Sequence, residues 1–255
     1  MRHGAGVLSD PMTLVLFLAA FLAGAMNAVA GGGTFVTFPA LLVMGLNPLA
    51  ANVTCTVALF PGVAWAGWSG RALVADAPQV TFRTLLWVSL AGGLVGAVLL
   101  VLTPAAVFAR LVPWLVLFAT SLFAWGSFGR KASAPALRLH PAPAAAIQFC
   151  IGIYGGYFGG GIGFLMLAAL AVAGMAVRPA VATKTVLAAA MNAAAVVVFL
   201  FSPAVAWGPA VVVAVAAIAG GQGGVWLVRR VNERVLRGVV VAIGVALTVG
   251  LFVRG

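Results

Sequence analysis

Acidic residues are almost missing from this chain: Asp10, Asp76 and Glu233 are the only three in 255 residues, and all stand at the ends of apolar segments or between them. The two histidines, His3 and His140, also lie outside the apolar runs. No carboxylate or imidazole is therefore left within an apolar segment to relay protons, which argues against cation pumping and carboxylate-coupled antiport. Intramembrane hydrolysis is equally unsupported, since there is no HExxH, no histidine beside a serine and no membrane aspartate pair. Cysteine is nearly as scarce. Cys55 and Cys150 have no metal-type spacing and read as small core residues. No cofactor is implied, and the chain is not expected to be an enzyme. The N-terminus lacks a cleavable-signal pattern, because its first apolar run carries Asn27 and a glycine cluster, so that run is expected to be the first membrane segment.

What the chain has in abundance is apolar sequence. Hydrophobic residues make up 64% and charged residues only 7%, and apolar runs of about twenty residues recur throughout, which excludes a water-soluble fold and indicates a polytopic membrane protein. The net charge of +11 comes from 14 Lys and Arg set between apolar runs rather than on one amphipathic face. These cations read as topology determinants and not as a nucleic-acid surface, so the lipid bilayer is the expected partner. Hydropathy, with Pro, Gly and charge as punctuation, predicts segments near 12–30, 34–46, 49–69, 81–102, 105–128, 142–158, 162–175, 179–201, 204–228 and 235–253. The segments 34–46 and 162–175 span only about 20 Å as helices, too short for a hydrocarbon core of about 30 Å. They are expected to be half-helices or re-entrant elements.

Each short segment follows a run of three glycines. AGGGTF at 30 is answered by GGGIGF at 159, so Gly31, Gly32 and Gly33 face Gly159, Gly160 and Gly161 at an offset of 128. AGGLVGAVLL at 91 and AGGQGGVWLV at 219 share that offset, and Pro48 meets Pro179 after a small shift. The chain reads as an internal duplication: a tail over 1–11, one membrane repeat over 12–128, a basic cytoplasmic linker over 129–141 and a second repeat over 142–255. Arg71 with Arg83, Arg130 with Lys131 and Arg138, and Arg229 with Arg230, Arg234 and Arg237 mark three basic loops, whereas the connections near 103 and 202 are uncharged. The positive-inside rule makes the basic loops cytoplasmic, and Trp68, Trp125 and Trp226 stand just before them as an aromatic belt would. The second repeat then begins on the opposite side from the first; Arg2, on the outer N-terminus, counts slightly against this. The expected fold is all-α and polytopic, with two inverted-topology repeats, Gly-broken or re-entrant helices, and about eight transmembrane helices plus short half-helices.

Paired broken helices at matching positions of inverted repeats point to a transporter's binding site. Glycine lets the backbone leave the helix, frees N–H groups at the start of the next half-helix and admits a ligand; those N–H groups and the helix dipole favour an anion. The competing reading is that the glycines only permit tight crossing, which is the expected role of Gly92, Gly96, Gly220 and Gly224. Among polar residues, ANVTCTVALFPG (51–62) presents Asn52, Thr54 and Thr56, and ATKTVLAAAMN (182–192) presents Thr183, Lys184, Thr185 and Asn192. Threonines in such helices commonly bond their own backbone. Two roles are open to Lys184: snorkelling to the nearby surface, or a fixed positive charge for an anion. Asn27 stands where it could orient the first break. Tyr154 and Tyr157 precede the second and fit either a ligand-donating gate or interfacial packing.

GAMNAVAGGGTFVTFPALL, GLNPLAANVTCTVALFPG, IGIYGGYFGGGIGFLMLAAL and MNAAAVVVF resemble the sulfite exporter TauE/SafE family of bacterial inner-membrane proteins, over nearly the whole chain. The resemblance implies a multi-pass inner-membrane transporter, an exporter of sulfur-containing anions such as sulfite or organosulfonates. Gly31–Gly33, Asn52 and Gly159–Gly161 fall on the family's motif positions. Many first-half motifs carry Thr-Asn-Lys where this chain has Ala51, Asn52 and Val53, so a second lysine is absent. The expected site combines backbone N–H groups of Gly32, Gly33, Gly160 and Gly161, side chains of Asn52, Thr54 and Thr185, and the charge of Lys184. Its partner is a small anion, and self-association is compatible with the sequence. An anion channel and a non-transporting scaffold subunit are the alternatives.

Overall fold

A computed structural model describes residues 11–29, 32–128, 140–228 and 233–254. Among them are ten α-helices, one short 3-10 turn and no strand. The first half contains α1 (Pro11–Val29), α2 (Thr34–Val43), α3 (Pro48–Gly70), α4 (Phe82–Leu102) and α5 (Ala105–Phe128). The second repeats the pattern as α6 (Pro141–Tyr157), α7 (Ile162–Val172), α8 (Val177–Phe199), α9 (Trp207–Val228) and α10 (Glu233–Arg254). Helix α2 has 10 residues and α7 has 11, or about 15–17 Å at the α-helical rise. Four helical spans, Pro48–Leu73, Phe82–Leu102, Ala105–Phe128 and Val177–Phe199, are long and apolar enough to cross a membrane by length and composition.

Local chemistry sets the helix ends. The Asn47 side chain accepts from Ala50 N–H at 2.9 Å with Pro48 in the first turn, and Thr81 caps α4 by accepting from Thr84 N–H at 3.3 Å. Gly45 and Gly174, at φ +88° and +86°, end α2 and α7 in a conformation other residues resist. The outer surface carries large apolar side chains such as Trp87, Trp114, Trp125 and Phe201, as a lipid-facing surface would. Arg71 lies with its guanidinium 3.8 Å from the Trp68 ring centroid at the end of α3. Trp226, and the basic cluster at 130–138, lie outside the described residues and side chains.

The two halves interdigitate. Helix α1 packs on α9, and α6 packs on α4, so each half's first helix lies against the other half's fourth. A Cβ on Gly92 would meet the Phe149 carbonyl at 2.7 Å, and one on Gly220 would meet the Phe21 carbonyl. These contacts map onto each other by the offset of 128 (92 to 220, 21 to 149). Gly96 and Gly156 similarly press on Ile153 and Gly93 across α4 and α6. Small residues thus bring backbones together where no hydrophobic effect separates helix from lipid. The surroundings of Gly224 lie outside the described residues. Between α4 and α6, buried Gln148 donates to Ser89 at 2.8 Å.

Helices α3 and α8 run antiparallel. Thr54, early in α3, accepts from Ala206 N–H beyond the end of α8 at 3.0 Å. Gly67, late in α3, packs on Thr185, Val186 and Ala189 early in α8. Ala75, just beyond α3, donates its N–H to Thr183 at 3.3 Å. Each half therefore holds the loop after the other half's third helix through a threonine.

Candidate anion site between the two helix breaks

At the first break α1 stops at Val29 and α2 starts at Thr34. Gly32 adopts φ +100°, which lets the chain turn where a Cβ would strike the Phe123 ring at 2.7 Å. Gly33 N–H donates to Asn27 Oδ1 at 2.8 Å, so the side chain of α1 caps the broken end of α2. The Gly33 carbonyl accepts from Thr37 Oγ1 at 3.2 Å. Gly31 lies outside the described residues.

The second break solves the same problem differently. Gly159 and Gly161 take φ +77° and +71°, with Gly161 at the N-cap of α7. The Tyr154 carbonyl accepts from Phe158 and Gly159 N–H at 2.9 and 3.1 Å, and the Tyr154 hydroxyl donates to the Gly160 carbonyl at 2.7 Å. Position 155, equivalent to Asn27, is glycine, so this break has no matching side-chain cap.

Both breaks open onto one cavity of about 540 Å³. Of the residues anticipated from sequence, Asn27, Gly32, Gly159, Gly161, Lys184 and Thr185 line it. Lys184 is half-buried on the second turn of α8, and its Nζ lies 3.2 Å from where a Cβ on Gly163 would sit, over the first turn of α7. Among the described residues Lys184 has no hydrogen-bond or ion-pair partner, and none of those lining the cavity is acidic. Thr185 Oγ1 donates to the Val181 carbonyl at 2.7 Å and keeps its lone pairs as acceptors.

The other anticipated residues that the structure describes are not part of the cavity lining. Asn52 is buried and donates through Nδ2 to the Tyr157 carbonyl at 3.0 Å, leaving Oδ1 without a partner. Thr54 is engaged with Ala206, and Gly33 with Asn27. Gly160 is tied to Tyr154; Tyr157 donates to Thr103 at 3.4 Å and packs edge-on against Phe108 at 5.6 Å. None of Asn52, Thr54, Gly33, Gly160, Tyr154 and Tyr157 is among the described residues that line the cavity. Gln222, with Thr34, Thr56 and Asn192, lines the cavity in addition. An isolated glutamine inside AGGQGG is the signal that could have revealed Gln222, since an amide in an apolar helix needs a partner or a wet cavity.

A polytopic helical protein whose two broken helices meet at a positively charged cavity belongs to the class of membrane transporters. The model of the family described as sulfite exporter TauE/SafE matches residues 16–251, and the chain belongs to that family. It is similar to the probable membrane transporter protein ORF9 of a Sinorhizobium species, 31% identical over 92% of this chain and 90% of the relative. It is also similar to a probable membrane transporter protein of Haemophilus influenzae, 28% identical over 92% of each chain. The probable membrane transporter protein YfcA of Escherichia coli K12 is 28% identical over 95% of this chain and 90% of the relative. No solved structure matches.

Proposed function

We propose that the protein carries small sulfur-containing anions, of the sulfite or organosulfonate kind, outward across a bacterial inner membrane. The observation that carries the reading is the shared cavity: two glycine breaks open onto it, and Lys184 is the one charged side chain among its described lining residues. An anion leaving a negative-inside cell gains about 2.3 kcal/mol per charge per 100 mV, so export needs no titrating carboxylate. The family name supports the substrate class, and the relatives' names support transport. The antiparallel α3 and α8, and contacts repeated at the offset of 128, support two inverted repeats over 12–128 and 142–255 rocking around the cavity.

The test is uptake of labelled sulfite and a sulfonate into proteoliposomes under an imposed potential, with chloride and acetate as controls. Saturable, potential-dependent flux with trans-stimulation is expected. Flux that never saturates would favour a channel, and none for any anion would favour a scaffold. Lys184→Ala is expected to weaken uptake at least tenfold, in the range of about 1.4 kcal/mol or more, with normal expression; unchanged affinity would remove Lys184 from the site.

A further inference from the structure

The composition of the cavity narrows the anion further, given the carrier reading above. Its described lining holds one cation, Lys184, and no acid. A ligand with one negative charge makes the loaded site neutral, whereas a dianion leaves a net charge inside a region that water screens poorly. The volume, about 540 Å³, falls among sites that hold organic ligands, about 300–1,000 Å³, and greatly exceeds a bare oxyanion. Asn27, Thr34, Thr56, Thr185, Asn192 and Gln222 are polar but uncharged, and the rest of the wall is mostly apolar, including Phe60, Val63, Trp65 and Ile218. Trp65 on α3 and Ile218 on α9 line the cavity and also reach the outer surface.

We infer that the site selects a singly charged organic anion with an apolar body, its charged group at Lys184 and its hydrocarbon along the α3–α9 wall. A fully buried methylene strengthens binding up to about fourfold, so affinity is expected to climb along a series of alkanesulfonates until the cavity is filled.

The experiment is competition and counterflow in proteoliposomes of the full chain, with methane- to hexanesulfonate, benzenesulfonate, sulfate and sulfoacetate. The expected result is a half-inhibitory concentration that falls at least about tenfold from methane- to hexanesulfonate, with both dianions at least about tenfold weaker than methanesulfonate. Trp65→Ala is expected to flatten the chain-length slope, and Lys184→Gln to weaken every monoanion while Lys184→Arg retains them. Sulfate competing as well as methanesulfonate, or affinity independent of chain length, overturns the selectivity while leaving the carrier standing. Absence of flux for all anions overturns the carrier and the selectivity together.

Discussion

Asn27 makes the two breaks chemically unequal. Its Oδ1 takes the Gly33 N–H that an anion would otherwise find, while the second half has only Gly155 at that place. Replacing Asn27 by Ala leaves that donor unpaired and is expected to destabilise the protein by about 1–3 kcal/mol, read as earlier thermal unfolding in detergent. Asn27→Asp restores an acceptor and should recover stability. It also places a carboxylate on the cavity, so anion affinity should fall at least tenfold, about 1.4 kcal/mol; undiminished affinity would place the anion away from this wall. Gly161 carries a different burden, because its φ of +71° is left-handed and a Cβ would sit 3.1 Å from the Ala119 carbonyl. Gly161→Ala is expected to cost about 1–2 kcal/mol. In contrast, Gly250→Ala in α10, with nothing within 4 Å, should be neutral or stabilise by up to about 1 kcal/mol. Equal effects in parallel thermal scans would mean that φ does not set the second break.

At the scale of elements, the decisive contacts are backbone on backbone. A side chain on Gly96 would drive into the Ile153 carbonyl of α6, and one on Gly156 into the Gly93 carbonyl of α4. Gly96→Leu is expected to part the two helices and abolish the monodisperse species on size exclusion, whereas Gly208→Leu, in open space on α9, should not. Helix boundaries were legible because Pro, Gly and charge punctuate the runs: α4 was expected at 81–102 and is Phe82–Leu102, and α5 matches 105–128. Which helix meets which was not legible, because nearly every helix is apolar all round and hydropathy gives no face. Helix phase also decided which polar residues reach the cavity. Thr54 lies two residues, about 200° of rotation, from the cavity-lining Thr56, and so turns instead to Ala206. The bond from Asn27 to Gly33 spans a break whose bend no local pattern specifies, so only its proximity was visible in the sequence.

For the whole molecule, the orientation of the halves is the property on which the carrier reading leans. If the repeats were parallel, the loop after α3 and the loop after α8 would lie on one side of the membrane. If they are inverted, these equivalent loops face opposite sides, and the threonine bonds from Thr183 to Ala75 and from Thr54 to Ala206 then tie the molecule at its two opposite ends. Arg71 and Arg83 flank the first loop, and the second, near 202, is uncharged, so only the inverted arrangement satisfies the positive-inside rule. The prediction is made on a Cys55→Ala, Cys150→Ala background with single cysteines at the exposed positions Pro78 and Pro203. A membrane-impermeant maleimide on intact cells should label Pro203→Cys and reach Pro78→Cys only after permeabilisation. Labelling of both from one side would make the duplication parallel, and alternating access by exchange of two bundles related by a two-fold axis in the membrane plane would lose its structural basis.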